Sequence, residues 1–241
     1  MAGWAEGAVV VVTGAAGGVG LAVSDWLAER GAQVFAFDRR QPESGPGTFV
    51  EVDVLSEDSV EAAVRQVMQA AGRIDGLVAA AGLAEEATPA EEMSLTVWQQ
   101  TIGVNLTGAF LTCQRVGRVM VDQGSGRIVT IASMSGSHVV NVPQEQVAYN
   151  ASKGGLVAMT KSLAFEWASR GVRVNALSPG YVDTPLLDNR RDLHESWKSG
   201  TPLHRFAKPE EVAGAVGWLL SDEAAYCCGT ELLMDGGYSL A

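Results

Sequence analysis

Short apolar runs alternate along the chain with longer stretches in which apolar residues return every three or four positions. Residues 8–13, 34–38, 48–54, 74–80, 127–133 and 172–177 have the length and β-branched content of strands. Because these runs are continuous rather than alternating, they predict strands buried on both faces. Between them, helical periodicity covers residues 18–30, 56–71, 94–122, 149–170 and 209–221, and Gly31, Gly72 and Gly171 stand where three of these helices should stop. This alternation predicts an α/β fold with a doubly wound, mostly parallel sheet and helices on both faces. No repeat, low-complexity tract or linker divides the chain, so residues 1–241 read as a single domain. Residues 181–206, with Pro185, Gly200, Pro202 and little periodicity, read as a mobile excursion that folds over a bound substrate.

Charge narrows the partners. Lysine and arginine number 17 against 28 aspartates and glutamates, a net charge of −11. No basic cluster longer than a pair offsets it, so nucleic acid is not an expected partner. Cys113, Cys227 and Cys228 are odd in number and lack metal-ligand spacing, and His138, His194 and His204 are scattered. Neither a disulfide framework nor a metal site is expected, and a reducing compartment fits best. No apolar run is long enough to span a bilayer, and the first residues lack a signal-peptide pattern, so the expected setting is cytoplasmic and away from membranes.

The first strand runs directly into TGAAGGVG (residues 13–20) and then into an amphipathic helix carrying Leu21, Val23, Trp26 and Leu27. Glycines there let backbone approach a pyrophosphate, and the helix N-terminus offers unpaired N–H groups to it. Asp38 closes the second strand, 18 residues past Gly20. A carboxylate at that place accepts hydrogen bonds from the adenosine ribose and repels a 2′-phosphate, which favours NAD over NADP, although Arg39 and Arg40 follow it. Further on, YNASK (residues 149–153) places the Tyr149 phenol and the Lys153 ammonium on one helix face. Lowering a tyrosine from about 10 by roughly 3 units takes about 4 kcal/mol, which a close lysine and a positively charged nicotinamide could supply. Tyr149 then becomes a candidate general acid/base.

The spacing T-G-x-x-x-G-x-G, with Gly14, Gly18 and Gly20, resembles the short-chain dehydrogenase/reductase family, and the resemblance covers residues 8–238. It implies a Rossmann-type, seven-stranded sheet and a catalytic set of Asn105 (in VNLTGAF), Ser133 (in GRIVTIASMSG), Tyr149 and Lys153. Ser133 would orient the substrate oxygen, with Ser135 its competitor for that role, and a helix distortion at Asn105 would link Lys153 to solvent. For the cofactor it implies Gly14, Gly18, Val19 and Gly20 in the turn and Asp38, Asp53, Val54 and Gly82 towards the adenosine. Pro179, Gly180, Val182 and Thr184 (in NALSPGYVDTP) would hold the nicotinamide, beside Tyr149 and Lys153. The family's usual N-N-A-G is here Ala79-Ala80-Ala81-Gly82, which removes side-chain amides that brace the sheet. MDGGY (residues 234–238) resembles a structural terminal motif of the family.

Residues 133–153 resemble the polyol and ketose enzymes of this family. Ser133, Ser135, Asn141, Gln144 and Tyr149 are then the expected substrate contacts, unless the loop residues bond only their own backbone. Leu186, Leu187 and Trp197 are candidates for the covering segment, and His138 reads as an ordinary loop residue. The reaction implied is reversible hydride transfer between NAD(H) and a secondary alcohol or ketone, with a polyol/ketose pair as substrate. The alternatives are a 3-oxoacyl thioester or steroid reductase and a non-catalytic NAD-binding regulator. Helices 94–122 and 149–170 resemble the pair through which family members assemble, which implies a homotetramer.

Overall fold

Valine-rich runs with nothing polar to present to water find burial by stacking side by side and accepting helices on both faces. The computed structural model describes residues 2–42, 44–140 and 142–240. Its strands are β1 (Val9–Thr13), β2 (Gln33–Asp38), β3 (Thr48–Glu51), β4 (Gly76–Ala79), β5 (Gly126–Ile131), β6 (Val172–Pro179) and β7 (Glu231–Met234). They form one seven-stranded sheet in the order β3-β2-β1-β4-β5-β6-β7, and every pairing is parallel. The helices are α1 (Ala2–Ala5), α2 (Gly18–Ala28), α3 (Glu57–Ala71), α4 (Leu95–Ile102), α5 (Ala109–Gln123), α6 (Met134–Ser137), α7 (Val147–Trp167), α8 (His194–Gly200) and α9 (Pro209–Leu220). The strand order reverses between β1 and β4, and ligands of such sheets bind beyond the strand ends at that point.

Successive strand residues point to opposite faces, so β1 divides the core in two. Val9 and Val11 join Phe35, Leu77 and Ile128 under α3, α5 and α7, where Val60, Val67, Val116, Met120 and Leu156 are buried. Val10 and Val12 join Val34, Val78 and Val129 under α2 and α9, against Val23, Leu27, Val216 and Leu220. The stops at Gly31, Gly72 and Gly171 all adopt left-handed backbone, at φ 85, 72 and 81°.

Several boundaries differ from the sequence pattern. The run 48–54 ceases to be strand at Glu51 because the Asp53 N–H turns to Ser59 Oγ and Asp53 Oδ1 accepts the Leu55 N–H. The run 74–80 pairs only from Gly76, since the Gln123 side chain takes both the N–H and the carbonyl of Ile74. The run 127–133 ends at Ile131, where the chain turns into α6. The helical run 94–122 holds a π turn, Gly103–Gly108, between α4 and α5. Residues 181–206 form a 3-10 segment, Pro185–Leu193, followed by α8, and the Trp197 side chain is buried. Isolated aromatic anchors rather than a periodic face hold that segment, which is why it looks structureless as a pattern.

Helices α2 and α9 approach closely because Gly217 has no side chain: a Cβ there would lie 2.2 Å from the Trp26 ring. Gly217→Ala should lower stability by about 1–3 kcal/mol through overpacking, and by less in a Trp26→Leu background. Urea unfolding of the four proteins measures it, and equal costs in both backgrounds would refute this origin.

Candidate active site

Beyond the ends of β1 and β4 lies a cleft of about 590 Å³. Its floor is the glycine turn. Gly14 has φ 67°, and a Cβ on it would come within 2.8 Å of the Ala81 backbone. A Cβ on Gly20 would lie 2.1 Å from the Gly14 carbonyl oxygen, and one on Gly18 would lie 2.6 Å from Thr184 Cγ2. Helix α2 starts after Gly17, which supplies no side-chain cap, so its first N–H groups remain available to an anion. Gly18, Val19 and Gly20 of that first turn all line the cleft.

Asp38 stands against this turn. Its Oδ2 accepts the Ala16 N–H and its Oδ1 the Arg40 N–H, both at 3.1 Å, which holds the carboxylate on the cleft wall beside Arg39 and Arg40. Asp53 and Val54 line the same wall. The bracing expected to be missing at Ala79–Gly82 is supplied from elsewhere. Thr13 Oγ1 accepts the N–H groups of Ala80 and Ala81, each at 3.1 Å, and Asn105 grips Leu83 from the other side. Asn105 Oδ1 accepts the Leu83 N–H at 2.8 Å, and its Nδ2 donates to the Leu83 carbonyl and to Ser152 Oγ at 2.9 and 3.0 Å.

Asn105 itself is fully buried inside the π turn and does not line the cleft. The helix distortion implied for it is present. Gly82 sits between it and the lysine: a Cβ there would be 3.4 Å from Asn105 Oδ1 and 3.5 Å from Lys153 Nζ.

Ser133 caps α6, and Tyr149 lies in the first turn of α7. Ser133 and Tyr149 both line the cleft, and the serine hydroxyl acts to lower the pKa of the phenol. Two glycines bring these helices into backbone contact: a Cβ on Gly136 would lie 2.7 Å from the Lys153 carbonyl carbon, and one on Gly154 would lie 2.7 Å from the Gly136 oxygen. Lys153 is buried and its Nζ donates to the Ile131 carbonyl at 2.7 Å, 5.6 Å from the Tyr149 ring centroid. Burial lowers the lysine to about 8.

The expectation of a depressed tyrosine joined the lysine to a positively charged nicotinamide, and the chain's own groups act in the opposite direction. Burial raises Tyr149 above the ordinary phenol value, the Ser133 hydroxyl pulls it back, and the Glu85 carboxylate raises it further. The low-dielectric pocket therefore outweighs the nearby ammonium in the protein by itself.

The substrate expectations divide. Ser135 is buried behind Ser133, its Oγ 2.9 Å from Ser133 Oγ, and it is not on the cleft wall. Its contact is with the Ser133 hydroxyl. Asn141 lies outside the described residues. Gln144, Leu186, Leu187 and Trp197 do line the cleft. Pro179, Gly180, Val182 and Thr184 form one rim: Gly180 packs on Asp235, so the D-G-G turn props the P-G turn. The bridge between Val182 and Ala207 uses the Tyr181 carbonyl and the Asp183 N–H, leaving the Val182 N–H directed away from Ala207.

Sequence reasoning missed Glu85 and Tyr181. Glu85 is buried, and its Oε1 accepts the Tyr149 N–H at 2.9 Å. As one acidic residue among several in a polar stretch it carries no signal. Tyr181 lines the cleft and followed the P-G pair as mere motif context. Among the described residues no group of side chains could hold a metal ion, and no helix is long and apolar enough to cross a membrane.

Residues 14–239 match a family model described as enoyl-(acyl carrier protein) reductase. D-threitol dehydrogenase of Mycolicibacterium smegmatis is 41% identical over 248 aligned positions, covering 98% of this chain and 94% of the relative. Galactitol 2-dehydrogenase (L-tagatose-forming) of Cereibacter sphaeroides is 39% identical over 247, covering 98% and 96%. The crystal structure of Gox2181 superposes with a TM-score of 0.94 at 40% identity, covering 98% of this chain and 97% of that one. With the glycine turn, the serine, the tyrosine and the lysine converging on one cleft, this chain belongs to the short-chain dehydrogenase/reductase family and is an oxidoreductase of secondary alcohols and ketones that works with a nicotinamide cofactor.

Proposed function

We propose that the chain is an NAD-dependent dehydrogenase that interconverts a polyol and its ketose. The observation that carries the reading is the placing of Ser133, Tyr149 and Lys153 on the wall of the cleft that also holds the glycine turn. The cradle suits a dinucleotide: side chains at Gly14, Gly18 or Gly20 would collide with protein, and the uncapped start of α2 suits a pyrophosphate. Gly14, Gly18, Val19 and Gly20 would hold the pyrophosphate, and Asp38, Asp53, Val54 and Gly82 the adenosine. Lys153, Pro179, Gly180, Val182 and Thr184 would hold the nicotinamide end. When bound, the cofactor supplies the hydride acceptor or donor.

The chain's own groups handle the proton and the orientation. Ser133 Oγ and Tyr149 Oη bind the reacting oxygen together, which fixes the carbinol in one pose. In ketone reduction the phenol, kept protonated by its burial, delivers its proton as the carbonyl oxygen gains charge. In alcohol oxidation the same oxygen must first be deprotonated and then takes the hydroxyl proton. Lys153, tied to Ile131, keeps a positive charge beside it up to about its pKa of 8.

Polyol relatives and a cleft wall that includes Gln144 and Gln146 support a hydroxyl-rich substrate. The description of the matching family model favours the second reading, an acyl-thioester reductase. The Asp38 carboxylate supports NAD over NADP. One continuous sheet supports a single catalytic domain, and three free thiols support a cytoplasmic setting. Exposed Phe110 on α5 and Phe165 on α7 support a homotetramer built through those helices.

A panel of alditols with NAD or NADP, read by the absorbance of the reduced cofactor, should give turnover with alditols and NAD. Turnover of a 3-oxoacyl thioester alone would refute the polyol assignment. Tyr149→Phe should reduce kcat by about 100- to 10,000-fold while leaving cofactor binding intact. Asp38→Ala should shift the ratio of kcat/KM towards NADP by about 10-fold or more.

The pH response of ketone reduction follows from two groups. Tyr149 is raised and stays protonated through neutrality, while Lys153 is cationic below about 8 and neutral above it. Reduction should therefore be level below about 8 and decline above it, and a rate that climbs through that point would contradict the assignment.

A further inference from the structure

The segment after β6 locks three side chains together at the cleft. The Tyr181 ring stacks on Trp197, centroids 4.4 Å apart and planes 13° from parallel, and meets Tyr238 edge-on at 5.3 Å. The Tyr181 hydroxyl accepts from Gln144 Nε2 at 3.4 Å. That arrangement sets the carboxamide: Nε2 faces the tyrosine and Oε1 is turned away from it.

Gln144 is 7% exposed and Trp197 is 2% exposed, and both line the cleft. Among the described residues, neither Gln144 Oε1 nor Trp197 Nε1 has a hydrogen-bond partner. Buried polar atoms held rigidly without partners carry a standing desolvation penalty that a ligand can relieve. Here one is an acceptor and the other a donor, and both side chains touch the same tyrosine, Gln144 at its hydroxyl and Trp197 at its ring. Alcohol hydroxyls satisfy both, because each can donate and accept. A carboxylate or thioester carbonyl only accepts and would leave Oε1 unpaired, and a methylene would satisfy neither.

We propose that Gln144 Oε1 and Trp197 Nε1 form a hydroxyl-reading subsite that binds hydroxyl groups of the substrate other than the one undergoing oxidation. This rests on the polyol reading above and makes it specific. The enzyme selects a chain that bears further hydroxyls beside its carbinol, and it rejects monohydric alcohols and acyl thioesters of similar length.

The test compares kcat/KM of the full chain for threitol and for 2-butanol, a four-carbon pair that differs in hydroxyl content. Gln144→Leu removes the acceptor, and Trp197→Phe removes the indole N–H while keeping a ring to stack on Tyr181. Each should lower the threitol-to-2-butanol ratio by about 10- to 100-fold. Gln144→Glu, which keeps an acceptor oxygen, should recover part of the loss seen with leucine. A wild-type enzyme that prefers 2-butanol would overturn the polyol reading and this subsite together. A wild-type preference for threitol that survives in both Gln144→Leu and Trp197→Phe would overturn the subsite alone, as would equal losses in the leucine and glutamate variants.

Discussion

The cleft depends on two backbones meeting with no side chain between them. Gly14, at the end of β1, presses on Ala81, just past β4, at a separation that a Cβ would reduce to 2.8 Å. Strand order reverses at that place, so the helices of the two halves leave in opposite directions and open the crevice. Left-handed backbone at Gly14 swings the turn under α2, and Thr13, immediately before it, ties down the N–H groups of Ala80 and Ala81. One threonine hydroxyl and one missing methyl group thus hold the glycine turn and the Ala80–Ala81 backbone in the same frame.

Burial sets the chemistry of that centre in opposite senses for its two ionisable partners. The same exclusion of water that lifts the Tyr149 phenol lowers the Lys153 ammonium to about 8. Both shifts favour neutral groups, as a low-dielectric pocket requires. The phenol is therefore held protonated, and forming its phenolate calls for positive charge beyond what the lysine provides. Glu85 adds to this bias: its carboxylate caps the Tyr149 N–H and keeps negative charge near the phenol.

Much of the fold was legible because the strands are buried on both faces and read as unbroken apolar runs. β7 left no such trace, since its residues are only half-buried. Strand ends were lost where side chains captured the backbone, as Ser59 and Asp53 do after β3 and Gln123 does before β4. The glycine turn, Tyr149 and Lys153 announced themselves by spacing. Glu85 and Tyr181 did not, because each acts through a contact made across the fold. The upward push on Tyr149 was hidden for a related reason: spacing along a helix reveals the neighbouring charge but not the depth of the pocket.

The glycine pair at Gly136 and Gly154 has a wider consequence. With α6 and α7 touching through main chain, the separation of the serine and tyrosine oxygens is fixed by the polypeptide itself, like the jaws of a calliper whose screw has been set. Selection acting on such an enzyme has little freedom to alter the reacting geometry. It has ample freedom in the aromatic segment that follows β6, whose anchors can be exchanged singly. Divergence among descendants of this architecture would then concentrate in what they recognise, while the manner of transferring the proton persists unchanged.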